Sequence, residues 1–227
     1  LTFLVTRSQR YSSYVFTSFL GLHLTTTSLI PLLTNSISSS DNYLLLARTA
    51  YQSTPLLETL LIPGALTVHI ISGIGLRLCR HCLAKKRYGK APAFWGKREW
   101  STTSLAGWLL LPSLVAHAIV LRVVPLYVDG GSADVGFQYV THGFNYHGRI
   151  GWWLNSFYYT GFVGTATWHV VNGFAKYFRI RNKRQVNIAA GVMTIGWLGG
   201  LFGVVTRAGS ATGYLGRKYD AFYDLVY

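Results

Sequence analysis

The sequence predicts an all-α membrane protein, a polytopic bundle of about five transmembrane helices in a single domain. Half of its 227 residues are hydrophobic and only 12% are charged, whereas a soluble domain carries about 25% charged residues. Trp, Tyr and Phe make up 15% of the chain, which is typical of proteins that meet two membrane interfaces. The mean hydropathy of +0.29 agrees with these observations.

Five hydrophobic runs are long enough to cross a bilayer, because a hydrocarbon core of about 30 Å needs about 20 helical residues. The first run is rich in Ser, Thr and Leu and ends near Pro31, and the third carries Pro112, where we expect a kink. The last two contain several glycines, and small residues let membrane helices approach closely. The predicted spans are residues 12–34, 56–80, 103–126, 150–178 and 187–206.

Shorter segments connect and follow these spans. Residues 43–53 are predicted to form a short amphipathic piece before Pro55, and residues 127–147 a loop that contains the sequence Asp-Gly-Gly-Ser. The tail, residues 208–227, alternates aromatic and charged side chains and is predicted to lie on the membrane surface as an interfacial helix. No repeat with a period of about 20–50 residues is evident.

The basic residues predict the orientation. Lys and Arg are concentrated near the N-terminus and in the loops after the second and fourth spans, which all lie on one side, called side A. Side A holds fifteen of the 21 basic residues, so we expect side A and the N-terminus to be cytosolic. Because the net charge of +14 falls in these loops and not along a soluble face, we expect no nucleic-acid partner.

One histidine lies inside each of the first four spans: His23, His69, His117 and His169. Counted from side A, each is about 9–14 residues into its span, which predicts a similar, central depth for all four at about 1.5 Å per residue. Ionisable side chains at that depth are costly and normally face the interior of the bundle. The pattern therefore favours a shared polar or metal site.

Two imidazoles from two helices can hold a six-coordinate haem b, and four can hold two such haems. The four histidines are thus candidate metal ligands for one or two haems. Gly73 follows His69 by one helical turn and would leave room for a flat ring. Basic residues that could bind haem propionates follow two of the histidines by two to three turns: Arg77, Arg80 and Lys176.

Other interpretations stay open for the polar residues. A membrane histidine can simply form a hydrogen bond between helices, and His81, His142 and His147 lie in or near loops, where we expect them to be solvated. Glu58 and Asp220 are interfacial charges without an evident partner.

The remaining chemistry is limited. Cys79 and Cys82 lack the second ligand pair that a zinc site needs. Hydroxyls in the run Thr25-Thr26-Thr27-Ser28 could line a polar track for lipid headgroups, or could bond back to their own helix. No residue set indicates a catalytic centre, so the sequence leaves open whether the chain is an enzyme.

The plan of five spans and four histidines resembles the two-haem cytochrome b anchor of succinate dehydrogenases and fumarate reductases. The segment from His69 to Arg77 is similar to the second span of that group. The resemblance implies that His23 pairs with His117 and that His69 pairs with His169.

A second and closer resemblance lies in residues 10–23, in residues 69–77 and in the closing Thr-Gly-Tyr-Leu-Gly of residues 212–216. This resemblance is to the fungal mitochondrial outer-membrane adaptors known as Mdm-complementing proteins. It implies an outer-membrane protein that recruits a bridge-like lipid-transfer protein of the vacuolar-sorting type to organelle contact sites. It also implies that the membrane domain scrambles phospholipids. The recruiting signal of that family is a Pro-x-Pro motif in a cytosolic N-terminal tail. None of the six prolines forms one here, so we expect the motif before Leu1.

Three hypotheses follow. The first is an adaptor in lipid homeostasis, built on a haem-binding four-histidine bundle. The alternative is a di-haem cytochrome b anchor that transfers electrons between a dehydrogenase and quinone. The third is a structural scaffold in which the buried histidines only form hydrogen bonds between helices.

Overall fold

The structure is a computed structural model that describes residues 1–90 and 101–226, and every regular element among them is a helix. The α-helices are α1 (Thr2–Leu24), α2 (Ile30–Thr34), α3 (Ile37–Tyr51), α4 (Pro55–Thr59), α5 (Ala65–Tyr88), α6 (Thr102–Ala118), α7 (Val124–Asp129), α8 (Phe137–Asn145), α9 (Gly148–Tyr177), α10 (Lys183–Ala208) and α11 (Gly213–Tyr223). Wider π-helical turns join some of them without a break: Thr25–Leu29, Leu60–Gly64 and Ile119–Val123. The all-helical prediction is confirmed.

Four helices of the described residues are long and apolar enough to cross a membrane, namely Thr2–Thr34, Pro55–Tyr88, Thr102–Asp129 and Lys183–Ala208. They contain the first, second, third and fifth predicted spans. Two of them have 33 and 34 residues, or about 50 Å of helix, which exceeds the thickness of the hydrocarbon core. These helices therefore continue into the interfaces, where hydropathy alone does not reveal them.

The fourth predicted span, residues 150–178, is a continuous helix of 30 residues, α9. It is not among the four helices that qualify by composition, because Trp, Tyr, Thr, Asn and Gly interrupt its apolar residues. Several of its small and hydroxyl residues are buried, including Gly151, Ser156, Ala166 and Thr167. One side of α9 therefore packs against protein through small and hydroxyl residues, which fits its more polar composition.

The chain divides into two compact units, which are described separately. Unit 1 contains Leu1–Leu24 and Leu46–Thr102, and unit 2 contains Thr25–Leu45 and Thr103–Tyr227. In unit 1, α1 packs along α5. A Cβ on Gly75 of α5 would lie 3.3 Å from the Val5 side chain of α1, so glycine lets the two backbones approach closely.

In unit 2, α10 packs against α9 and against the π-helical turn Thr25–Leu29. The Thr167 and Thr194 hydroxyls are 2.5 Å apart between α9 and α10. Ser28 is completely buried, and its Oγ donates to the Trp197 carbonyl of α10 at 3.2 Å. The expectation that this hydroxyl bonds back to its own helix or lines an open track is therefore wrong for Ser28, which joins two helices.

The segment 127–147 is not the loop that the sequence predicted, because residues Phe137–Asn145 form α8. The buried cluster around it includes the completely buried Tyr139 and side chains of α11, and its members are Val124, Val135, Tyr139, Ala211, Tyr219, Phe222 and Tyr223. The prediction of a helical tail is confirmed at Gly213–Tyr223. That helix buries its aromatic face against α7 and α8.

Polar contacts also attach α11. His142 is buried, and its Nε2 lies 2.9 Å from Asp220 Oδ1. The predictions that His142 is solvated and that Asp220 has no partner are therefore wrong, because α8 and α11 bring the two residues together. Glu58, also expected to lack a partner, accepts a hydrogen bond from Gln52 Nε2 at 3.0 Å. His147 is exposed as expected.

Two titratable groups in this region have shifted pKa values. The Tyr146 hydroxyl donates to Asp224, and this hydrogen bond raises the pKa of Tyr146 to about 12. Hydrogen bonds with Asp129 and Asp134 raise the pKa of Lys218. These three contacts and the His142–Asp220 contact all join α11, or the residue just after it, to the segment that contains α7 and α8. They therefore reinforce the packing of α11.

Candidate functional site

His23 lies at the end of α1, two residues before the π-helical turn Thr25–Leu29. Its ring is half-buried and stacks on Phe19, with 5.5 Å between the ring centroids. Phe19 in turn packs edge-on against Tyr51 at 5.1 Å. The imidazole is thus held in an aromatic environment within unit 1.

His69 lies on α5 and reaches the backbone of α1. Its Nδ1 is 3.3 Å from the Gln9 carbonyl oxygen. A carbonyl oxygen only accepts hydrogen bonds, so the proton of this contact is on Nδ1. The next turn of α5 carries the buried Ser72, whose hydroxyl donates to the His69 carbonyl at 3.0 Å.

His117 lies near the end of α6, two residues before the π-helical turn Ile119–Val123. Its half-buried ring packs on Phe162 of α9, with 5.1 Å between centroids, and against Tyr159 at 6.2 Å. One turn earlier, the Ser113 carbonyl accepts from the Tyr158 hydroxyl at 2.6 Å. These contacts attach α9 to α6 at the level of His117.

His169 lies on α9, and its Nδ1 is 2.8 Å from the Thr103 carbonyl in the first turn of α6. The ring rests on Gly107, where an added Cβ would be 2.7 Å from Cε1 and 2.9 Å from Nδ1. Any larger residue at 107 would therefore displace the imidazole. As at His69, the carbonyl partner places the proton on Nδ1.

The expectation of one central depth for all four histidines is wrong. In unit 1, His69 touches Gln9, which precedes His23 on α1 by 14 residues, or about 21 Å along the helix axis. In unit 2, His169 touches Thr103, which precedes His117 on α6 by 14 residues, again about 21 Å. Each unit therefore has two histidine levels. The helix α1 begins ten residues before the predicted first span. Depths counted from the ends of the predicted spans therefore placed His69 too deep.

The two histidine pairs occupy equivalent places in an internal repeat. An offset of 94 residues relates His23 to His117, Pro31 to Pro125 and Gln9 to Thr103. An offset of 100 residues relates His69 to His169, Gly73 to Gly173 and Thr67 to Thr167. The π-helical turn after the first histidine recurs at the same offset of 94 residues, Thr25–Leu29 and Ile119–Val123. Sequence reasoning missed this repeat because its period is longer than 50 residues and few positions are identical.

Comparison with known proteins agrees with this division. The family model for the MDM10-complementing protein 1 transmembrane domain matches residues 18–102 and 112–210. The chain belongs to this family. Its matched residues fall into two segments, of which the first contains His23 and His69 and the second contains His117 and His169. No match was found among curated proteins or among solved structures.

Family membership identifies an integral membrane protein of the MDM10-complementing type. The match covers most of the chain, including the whole of Pro55–Tyr88 and Lys183–Ala208 and parts of the other two helices that are apolar enough to cross a membrane. The Mdm-complementing resemblance is therefore confirmed at the level of the family. The family description names a transmembrane domain and neither a partner nor a cofactor.

The predicted propionate partners lie beyond the histidines toward side A. Arg77 is half-buried and Arg80 is exposed, both on α5 after His69, and Lys176 is exposed in the last turn of α9 after His169. They lie at least seven residues, or about 10 Å, along the helix from their histidines. In the described part of the chain, no group of three or more His, Cys, Asp or Glu residues could hold a metal ion. A bis-histidine haem needs only two histidine ligands.

Proposed function

We propose that the chain is a mitochondrial outer-membrane adaptor that recruits a bridge-like lipid-transfer protein to organelle contact sites and thereby supports lipid homeostasis. The observation that carries the proposal is the family match over both repeats. The charge distribution is consistent with a cytosolic N-terminus, since most basic residues lie on side A. A recruiting motif there would face the compartment that contains the partner.

Recruitment is tested in cells with the full-length protein, including any segment that precedes Leu1. A tagged protein should enrich a bridge-like lipid-transfer protein on mitochondria and co-purify with it. Substituting the prolines of a Pro-x-Pro motif should abolish this enrichment, whereas substituting Pro92, which is not part of such a motif, should not. Mitochondrial protein that never enriches a lipid-transfer protein would refute the adaptor function.

We further propose that the bundle binds haem b through His23, His69, His117 and His169. Two features of the residues fit such a group. The Gln9 and Thr103 carbonyls each hold one imidazole by Nδ1, and metal-ligating histidines commonly donate their other ring nitrogen to a carbonyl. Arg77, Arg80 and Lys176 supply cations on side A for propionates. When bound, a bis-histidine haem b would supply one-electron transfer.

Haem is tested by absorption. Protein purified from haem-replete cells should be red and should show a reduced-minus-oxidised difference band. The cytochrome b resemblance pairs His69 with His169, so replacing both with alanine should remove about half of the absorbance of a two-haem protein. Exposed His147 provides the matched control, because its replacement should leave the band unchanged. Colourless wild-type protein would exclude the haem but not the adaptor function.

We also propose that the membrane domain scrambles phospholipids, as the Mdm-complementing resemblance implies. Purified protein in vesicles should make fluorescent phospholipids of the inner leaflet accessible to a membrane-impermeant quencher. Ser28 is completely buried between helices, so Ser28→Ala should not slow scrambling even if it weakens packing. If the inner-leaflet lipids of vesicles with protein stay as protected from the quencher as those of protein-free vesicles, scrambling is excluded.

The alternative function is an electron-transferring di-haem anchor. The observation that favours it is the separation of about 21 Å between two histidine levels in each unit, because charge transfer across a bilayer requires cofactors at more than one depth. Such an anchor should co-purify with a flavoprotein dehydrogenase and should be reduced by its substrate. Haem that no dehydrogenase or quinol reduces would exclude this alternative.

A further inference from the structure

Two backbone carbonyls hold one imidazole each at equivalent places in the repeat. We propose that the carbonyls of Gln9 and Thr103 are positioning groups that fix His69 and His169 as Nδ1–H tautomers, so that each ring offers Nε2 to a metal. The part of this inference that concerns haem rests on the proposed function. The tautomer itself is a property of the protein chain.

The chemistry of the contact determines the tautomer. Nδ1 lies 3.3 Å from the Gln9 oxygen in His69 and 2.8 Å from the Thr103 oxygen in His169. A carbonyl oxygen has no proton to donate, so Nδ1 donates in both contacts. A neutral imidazole with its proton on Nδ1 has its lone pair on Nε2. A hydrogen bond on the far nitrogen also orients the ring and raises its basicity as a ligand.

The recurrence of the contact is independent support. Thr103 follows Gln9 by 94 residues, and His169 follows His69 by 100 residues. Each carbonyl also precedes the other histidine of its unit by the same 14 residues. Two different side chains, Gln and Thr, stand at the carbonyl positions, which is expected if only the backbone at that place matters.

The residue one turn after each carbonyl differs between the two repeats. Ser13 stands 94 residues before Gly107. The second repeat, with glycine, has the 2.8 Å contact, and the first repeat, with serine, has the 3.3 Å contact. The His169 ring fills the space that a Cβ on Gly107 would occupy. Gly107 is therefore the residue that allows the closer approach in the second repeat.

The test that needs no haem is nuclear magnetic resonance of protein with ¹⁵N-labelled histidine. Signals of His69 and His169 are assigned by replacing each with Gln, and both should show protonated Nδ1. Gly107→Ala should shift the His169 signals and remove its Nδ1–H signature while leaving His69 unchanged. Gly161→Ala on α9 is the control, because its Cβ would meet no described atom within 4 Å.

A wild-type His169 protonated on Nε2, or His169 signals that Gly107→Ala leaves unchanged, would overturn the inference. In haem-loaded protein, Gly107→Ala should change the low-spin ferric spectrum and the midpoint potential of one haem, with a loss of up to about half of the absorbance. Gly161→Ala should leave both haems unaltered. Colourless wild-type protein would refute the proposed haem, and the tautomer experiment would still decide the positioning role.

Discussion

Gly200 allows α10 to approach Ser28 so closely that an added methyl group has no room. A Cβ at residue 200 would lie 2.7 Å from the Ser28 carbonyl oxygen and closer still to other Ser28 atoms. These atoms are the Cα, Cβ and carbonyl oxygen of a completely buried residue, so they cannot move aside as the end of a flexible side chain would. We therefore expect Gly200→Ala to force the two helices apart.

The magnitude follows from three contributions. Overpacking of a well-packed interior costs about 1–3 kcal/mol, and loss of the Ser28–Trp197 hydrogen bond adds about 0.6 kcal/mol, a typical value for membrane proteins. Alanine gains about 0.5–1 kcal/mol over glycine in a helix. The net decrease in the free energy of unfolding is thus about 1–3 kcal/mol.

The assay is unfolding of the purified protein by a denaturing detergent, followed by tryptophan fluorescence. Gly199→Ala is the matched control, because its Cβ would meet no described atom within 4 Å, and it should be neutral or slightly stabilising. Ser28→Ala alone should cost less than Gly200→Ala. If Gly200→Ala unfolds at the same detergent fraction as Gly199→Ala, the close contact between α10 and Ser28 does not exist in solution.

Three further predictions concern α8 and its partners. His142→Ala should lower the melting temperature by removing a buried ring, at a cost of about 2–3 kcal/mol, while His147→Ala at an exposed position should not change it; equal effects would contradict the burial of His142. Tyr146 should remain protonated up to a pKa of about 12, measured by difference absorbance against Tyr146→Phe. Because this folded-state pKa is raised, its contribution to stability is present below about pH 10 and is lost as the pH rises toward 12; Asp224→Asn should return the pKa toward 10, and an unchanged value would refute the assigned cause. Asp41 accepts from the first N–H of α8, so Asp41→Ala should cost about 1 kcal/mol of unfolding free energy and speed proteolysis of that segment, and unaltered cleavage would argue against this cap.

Hydropathy predicted where helices cross the membrane but not where they end. The first span was predicted to begin at residue 12, whereas the helix begins at Thr2. Residues 2–11 include Arg7 and Arg10, which have little apolar character. Helical backbone hydrogen bonds form regardless of such polarity. Gln9, which His69 contacts, precedes the predicted first span, and the depth of His69 relative to His23 was therefore misjudged.

The environment of His142 could not be predicted because it depends on residues far along the chain. Its neighbours on α8 read as a turn-rich loop, and the residues that bury it belong to α11, about 80 positions later. Its partner Asp220 lies in a tail that, taken alone, has the pattern of a surface helix. Local periodicity carries no information about such long-range packing.

The four candidate ligands were predicted from the sequence, but the groups that contact their imidazole rings were not. A histidine inside a hydrophobic run is visible because polar residues there are costly. A backbone carbonyl such as that of Thr103 has no sequence signature, and Gly107 resembles any other small residue of a membrane helix. The internal repeat was the available signal, since aligning its halves places Gln9 opposite Thr103.

The π-helical turn Ile119–Val123 connects the helix that carries His117 to the buried cluster around Tyr139. Its extra residue means that the Val124 N–H bonds to the Ile119 carbonyl, and the Val120 carbonyl accepts from the Tyr139 hydroxyl of α8 at 3.0 Å. Each residue of an α-helix adds a rotation of about 100° around the helix axis. The inserted residue therefore determines which direction the side chains of α7 face. Deleting one residue from this turn would leave His117 facing α9 while rotating Val124 and Pro125 out of the cluster around Tyr139. A shortened chain could then keep its imidazole in place and still lose the end of the bundle.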